Sequence, residues 1–208
     1  MDETVAVRGA ERSEMHAAAA LLARAFADDP ITAFVQKANP RSRDWMVPTF
    51  VLHVRSGFLF GEVHVAEDVH GVAVWLAPGK APLSAWRMVR AGAVRWALTC
   101  GWAIARGSLA FVTATEQLHR QCAPGPHWYL AFMGVEPVRQ GAGIGHGLLQ
   151  PMLRRADAEG LPCYLETPRR SMSLYQRNGF RVVAERAIAP DGPRLWGMVR
   201  EPARHGGA

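Results

Sequence analysis

The chain has 208 residues, 49% hydrophobic and 20% charged, a composition that builds one sizeable core and excludes a disordered or fibrous class. The formal charge of +6 is almost all arginine, because Lys37 and Lys80 are the only lysines; with no long basic run or aromatic-interleaved patch, a nucleic-acid partner is not expected. Cys100, Cys122 and Cys163 form no CxxC pair, which argues against a disulfide scaffold or a metal site and for a reducing compartment. The N-terminal MDETVAVRGAE has no apolar signal core, and the apolar run WALTCGWAIA between Arg95 and Arg106 is too short to span a bilayer. A soluble cytoplasmic protein with no membrane partner is the expectation.

In chain order, residues 4–8 read as a first strand and 13–26 as an alanine-rich helix with Ser13 as its N-cap. Asp28, Asp29 and Pro30 stop that helix. A short helix over 31–37 and a longer one over 41–60, with Pro48 near its first turn, follow. Residues 63–66 and 72–76 read as a hairpin about a turn at 67–71. Residues 83–120 are helical and unusually apolar, with breaks expected near Gly101 and Gly107, and contain Trp86, Trp96 and Trp102. After a loop at 121–126, an apolar strand runs from Trp128 to Val135. A glycine turn leads into a helix to about residue 159, with Gly160 as its C-cap. Strand 162–167, helix 169–178, and strands 180–189 and 195–200 joined by the turn 190–193 complete the pattern, and residues 201–208 read as a frayed tail. No repeat or linker divides the chain, so one domain over 1–208 is expected.

The stretch from 128 to 150, WYLAFMGVEPVRQGAGIGHGLLQ, carries the most chemistry. Strand, glycine turn and helix in that order aim free backbone amides and the positive end of a helix dipole at one point, which suits a phosphate. Glycine lets the phosphate approach the backbone closely. The dinucleotide fingerprint GxGxxG fails: after Gly141 and Gly143 comes His146, and after Gly143 and Gly145 comes Leu148. A P-loop would need a lysine, and the segment has none.

Gln140, Gly143 and Gly145 do match in register the Gln/Arg-x-x-Gly-x-Gly/Ala loop of the GNAT superfamily of acyl-CoA-dependent N-acetyltransferases, and the segment resembles it. Downstream, LYQRNGF (Leu174 to Phe180) resembles a sequence of that superfamily. The wider stretch over about 127–200, with its LET strand end and Gly-Pro-Arg-x-Trp last strand, is similar to puromycin N-acetyltransferase and its relatives. The similarity is weaker at AFADDP and at Ala73 to Trp75, and slight over 80–126.

The resemblance implies an α/β (α+β) GNAT fold: a central, mixed, mostly antiparallel sheet of about six to seven strands flanked by helices, with a helical insert over about 83–120 before the strand that binds acetyl-CoA. It implies that Met133, Gly134 and Val135 pair through their backbones with the pantetheine arm. The loop from Gln140 through Gly141, Ala142, Gly143, Ile144 and Gly145 to His146 would hold the pyrophosphate. Ser171 stands where relatives carry an asparagine that touches pantetheine, and Ala142 where relatives often carry a cation.

Acetyl transfer from a thioester to an amine also needs an acid and a base. Tyr175 is the expected acid, since a phenol stays protonated at neutral pH. Glu166, at the end of the strand beside the cofactor strand, is the expected base. Glu116 with His119, one helical turn apart, is a second candidate pair for the base, and these two together with Asp28 and Asp29 are candidates for binding the substrate amine. The expected activity is acetyl-CoA-dependent N-acetylation of a small-molecule primary amine by direct transfer in a ternary complex, with antibiotic or self-resistance substrates in view. A protein or peptide N-acetyltransferase and a non-catalytic acyl-CoA-binding module are the alternatives. The apolar 83–112 region is compatible with a homodimer.

Overall fold

A computed structural model describes residues 5–37, 44–66 and 68–203. Thr4 of the expected first strand, the start of the helix expected over 41–60, Glu67 of the expected hairpin turn and the last five residues of the tail lie outside the described residues.

Among the described residues, seven strands form one sheet in the order β1-β2-β3-β4-β5-β7-β6. They are β1 (Val7–Gly9), β2 (Gly61–Ala66), β3 (Gly71–Leu76), β4 (Trp128–Val135), β5 (Cys163–Thr167), β6 (Arg181–Ala187) and β7 (Arg194–Arg200). Every pairing is antiparallel except β4 with β5. The flanking helices are α1 (Met15–Ala25), α2 (Pro30–Gln36), α3 (Met46–Phe60), α4 (Ala85–Ala91), α5 (Ala93–Cys100), α6 (Trp102–Cys122), α7 (Ile144–Glu159) and α8 (Met172–Arg177).

Local chemistry sets several of these boundaries, not always where expected. Before α1, residues Arg12–Glu14 form a 3-10 turn in which the Glu11 amide donates to Glu14 Oε2 at 2.8 Å. Ser13 therefore sits inside the turn and does not cap α1. Asp29 Oδ1 accepts from the Ile31 amide at 2.8 Å and caps α2, with Pro30 in its first turn. Pro48 lies in the first turn of α3, where no backbone donor is lost. In the helical insert the breaks fall at Gly92 and Gly101, whose positive φ values of 105° and 82° end α4 and α5. Gly107 is carried inside α6 without interruption.

The sheet is covered on both faces. On one, Leu148, Leu149, Met152 and Leu153 of α7 pack on Ala73, Trp75, Leu130 and Leu165. On the other, Ala18, Leu21 and Leu22 of α1 and Phe50 and Val54 of α3 pack on Val63, Val65, Val72 and Val74. β3 is buried along its whole length, which explains its near-continuous apolar sequence.

β4 carries one irregularity. Val74 pairs with Phe132 but Trp75 pairs with Leu130, so Ala131 is an extra residue, a β-bulge. Side chains alternate along a strand, and the extra residue changes the parity. Trp128 and Leu130 face α7, whereas beyond the bulge Phe132 joins the α1/α3 face and Met133 and Val135 turn to α7.

Gly134, on that second segment, is where α1 crosses closest: a Cβ there would lie 2.9 Å from Ala25 Cβ and 3.0 Å from Leu22 Cδ2. Gly134→Ala is expected to lower stability by about 1–3 kcal/mol through overpacking, read as a lower urea midpoint with unchanged slope.

Candidate active site

The parallel pairing of β4 with β5 ends at Leu130 and Leu165. Beyond it, Glu166 and Thr167 stay paired with β7, while Phe132 to Val135, past the bulge, stay paired with β3. The two strands therefore part, and a wedge-shaped gap opens between them. The amide of Glu136, just past β4, donates to His70 O at 2.9 Å on the β3 side. Alternation along the strand then turns the amides and carbonyls of Met133 and Val135 to the opposite edge, into the gap. Val135 O already accepts from Gln140 Nε2 at 3.3 Å. At this end of β4, Glu136 also holds α1 through Arg24, with contacts of 2.7 to 3.2 Å.

The glycine loop closes the end of the gap. After a 3-10 turn over Pro137–Arg139, Gly141 and Gly143 take φ of 86° and 82°, a conformation that costs other residues about 1 kcal/mol or more. Nothing lies within 4 Å of where a Cβ would stand on either, so the cradle is open to solvent. α7 begins at Ile144, and the amides of its first turn have no partner within the helix. Gln140, Ala142 and His146 are exposed around the loop, and Ile144 is buried beneath it. His146 Nδ1 lies 3.4 Å from Gln150 Nε2. Gly145 is the close contact to α8: a Cβ there would come 3.2 Å from Leu174 Cδ2.

Tyr175 lies on α8, buried in the same apolar cluster as Leu130, Ile144 and Leu165, with Phe180 edge-on to its ring. Its hydroxyl makes no hydrogen bond among the described residues. Burial raises its pKa above the ordinary phenol value, so it remains a proton donor at neutral pH. Ser171 ends the 3-10 turn before α8 and is half-buried.

Glu166 sits on the opposite face of β5 from Leu165 and heads a buried polar cluster. Tyr129 Oη donates to Glu166 Oε2 at 2.7 Å, while Oε1 is buried without a partner. The Tyr164 hydroxyl acts on the carboxylate electrostatically but falls short of hydrogen-bond geometry. Desolvation pushes the Glu166 carboxyl up to about 7, and the Tyr129 hydrogen bond works against that rise. His119 of α6 packs its ring edge-on to both Tyr129 and Tyr164. Its Nε2 lies 2.9 Å from His127 Nε2, and His127 Nδ1 lies 2.7 Å from Gly125 O. A carbonyl only accepts, so His127 carries its proton on Nδ1, and in the neutral pair His119 Nε2 donates to His127 Nε2. Burial, then the neighbouring His127, lowers His119 to about 4, so the pair is neutral at physiological pH.

The other sequence-selected residues do not join this cluster. Asp29 places both oxygens elsewhere, one on the α2 cap and one on Arg170 Nη2 at 2.8 Å. Asp28 is exposed, and its carbonyl accepts from Arg170 Nη1 at 3.1 Å. Glu116 turns outward to Arg120 at 3.3 Å, so it does not pair with His119, which turns inward. Tyr129, Tyr164 and His127 were not singled out from the sequence. Their signal was two tyrosines in the otherwise apolar strands WYLAFMGV and CYLET. A separate cavity of about 450 Å³ runs between α6 (Leu109, Thr113, Gln117) and the end of β6 (Arg186, Ile188), and Arg186 Nε there is buried without a partner.

With this geometry in hand, a family model described as the acetyltransferase (GNAT) family matches residues 83–180. An uncharacterized N-acetyltransferase of Schizosaccharomyces pombe is 27% identical over 209 residues, covering 95% of this chain and 84% of that protein. A crystal structure titled histone acetyltransferase HPA2 and related acetyltransferase, from Corynebacterium glutamicum, superposes with a TM-score of 0.69 at 24% identity, covering 98% and 99% of the two chains. Arylalkylamine N-acetyltransferase 2 of Aedes aegypti gives 0.65 at 16% identity, covering 96% and 99%. The Drosophila melanogaster polyamine N-acetyltransferase gives 0.66 at 16%, covering 95% and 99%.

The chain is an acetyltransferase of GNAT fold.

Glu166 stands on β5 one residue past the point where β4 and β5 part. With Glu166 titrating near 7, its proton-accepting form fills in as pH rises. The ascending limb of kcat/KM against pH is expected near pH 7 and should be lost in Glu166→Gln. Tyr129→Phe removes a hydrogen bond that favours the carboxylate, so the limb should move to higher pH. A limb unmoved by either substitution would take Glu166 out of the proton path.

Proposed function

We propose that this protein transfers the acetyl group of acetyl-CoA to the primary amine of a small molecule by direct attack within a ternary complex. The observation that carries this reading is the parting of β4 from β5 beside an open glycine loop at the start of α7. That arrangement offers strand-like pairing to a pantetheine arm and free amides to a diphosphate, and the residues present fit both. Met133 and Val135 would hold the arm and the loop from Gln140 to His146 the pyrophosphate, with Gly134 between the strand contacts. Ser171 would lie toward the arm. Bound there, acetyl-CoA supplies an activated thioester acyl group.

The remaining chemistry belongs to the chain. Glu166 takes the proton from the attacking ammonium, directly or through water. A strand amide facing the gap stabilises the oxyanion that forms as the nitrogen bonds to the carbonyl carbon. Tyr175 would give its proton to the sulfur as the C–S bond breaks, and the second proton that the nitrogen sheds as the amide forms would restore the phenol, directly or through water. The half-buried ring of Phe132, edge-on to Phe26 and Phe50 and tilted against His53, would form the apolar wall on the acceptor side. The helical insert would govern acceptor choice, because its α6 carries His119 against Tyr129 and Tyr164. Structural neighbours titled for arylalkylamine and polyamine acetylation support an amine acceptor; an antibiotic or self-resistance amine is a member of that class. The three free cysteines fit a reducing, cytoplasmic compartment.

An amine panel with thiol-release detection and product mass spectrometry tests the activity; CoA binding without turnover on any amine would favour a non-catalytic module. Gly143→Glu places a carboxylate in the phosphate cradle and is expected to abolish CoA binding by calorimetry. Tyr175→Phe is expected to lower kcat about 10²-fold or more while leaving the acetyl-CoA Kd within about twofold. Unchanged turnover would remove Tyr175 from the mechanism.

A further inference from the structure

The layer formed by α4, α5 and α6 leaves large apolar side chains in solvent. Trp86 is 69% exposed, Leu98 82% and Trp102 73%, and Val89 and Val94 are exposed beside them in sequence. This is not failed packing, because the inner faces of the same helices are filled. Cys100 and Ile104 pack with Val35 and Trp45, and Trp96 Nε1 donates to Thr49 Oγ1 at 2.7 Å. The three helices are contiguous, α5 packing on both α4 and α6, with α4 and α5 also seated on α3.

The charge of this layer is one-sided. From Lys80 through Thr115 the chain carries five cations (Lys80, Arg87, Arg90, Arg95 and Arg106) and no aspartate or glutamate. None of the five forms an ion pair among the described residues. Arg90 instead lies over the Phe60 ring at 5.9 Å, and Arg87 bonds the Lys80 carbonyl at 3.2 Å. Elsewhere on the molecule arginines routinely find carboxylates, as Arg8, Arg155 and Arg200 do.

We infer that this layer docks on an anionic phospholipid surface, Trp86, Leu98 and Trp102 entering the boundary between headgroups and acyl chains while Arg90, Arg95 and Arg106 meet lipid phosphates. Tryptophan favours that boundary, and apolar helix faces flanked by arginine bind there by burial plus attraction to anionic lipid. No helix among the described residues is long and apolar enough to cross a membrane, so the layer lies on the surface. The shortness of the 96–105 run excludes a span and leaves surface binding open. A second copy of the chain is the less suitable occupant: the same face on both partners would set five cations against five with no carboxylate between them. The inference does not rest on acetyl transfer.

The test is co-sedimentation of the full chain with vesicles of phosphatidylcholine alone or mixed with phosphatidylglycerol. Binding to the mixed vesicles, weakened by salt and accompanied by a blue shift of tryptophan emission, is the expected result. Joint replacement Trp86→Ser, Leu98→Ser and Trp102→Ser should reduce partitioning at least about tenfold, and Arg90→Gln, Arg95→Gln and Arg106→Gln should remove a similar factor of the preference for anionic lipid. All six side chains are exposed, so circular dichroism should not change in either variant. Absence of binding to anionic vesicles overturns the inference, as does binding that neither variant weakens. A dimer in solution dispersed by Leu98→Ser, with no vesicle binding, overturns it in favour of self-association.

Discussion

A β-bulge at Ala131 is the constraint on which the rest of the site depends. A strand paired on both edges has no backbone groups left for a ligand. Past Ala131 β4 resumes its pairing with β3 at Phe132 but not its pairing with β5, which stays tied to β7. The gap that results lies inside the sheet and not at its edge, so its amides are framed by packed structure on both sides. The same extra residue exchanges the faces of everything after it, sending Phe132 toward α1 and α3 and Met133 toward α7. The small size of Gly134 lets α1 close on the strand at this point, and the Arg24–Glu136 contact holds that closure at the strand's end.

One physical cause, removal of water, acts on both candidate proton-transfer groups. Desolvation penalises the charged form of each. For Glu166 this raises the carboxyl to about 7, where it can both accept and release a proton; for Tyr175 it keeps the phenol protonated. The neutral state of His119 and His127 matters to the first effect. A charged imidazolium beside Tyr129 and Tyr164 would stabilise the carboxylate and return it toward its ordinary range, and burial of the pair prevents that charge. α6 thus contributes to the candidate chemistry from one end while its other end belongs to the exposed helical layer.

That layer is the part of the molecule least explained by the sheet. Its inner residues complete a satellite core with Trp45 and Val35, and its outer apolar residues Trp86, Leu98 and Trp102 stand exposed, with arginines between them that form no ion pair among the described residues. A surface of this kind is costly in water, and its charge selects among the partners that could cover it.

Much of the fold was legible without coordinates. The strand–glycine–helix order, the hairpin of β2 and β3, and the run of β5, α8, β6 and β7 follow from periodicity and turn residues, which are local properties of the chain. The glycine loop was legible for the same reason, since positive φ at Gly141 and Gly143 is encoded by residue type. Boundaries set by competing local hydrogen bonds were less so: Glu14 captures the Glu11 amide and displaces Ser13 from the cap of α1, and Gly107 is tolerated where α6 is held by packing. What only the tertiary structure decided was which polar groups meet. The bulge, the parting of two parallel strands, and the convergence of Tyr129, Tyr164 and Glu166 with His119 and His127 join segments far apart in sequence. Glu116 and Asp29 looked equally available in the sequence until the fold gave them arginines of their own. Residue type fixes what a side chain can do; burial and neighbours, which exist only after folding, fix whether it does.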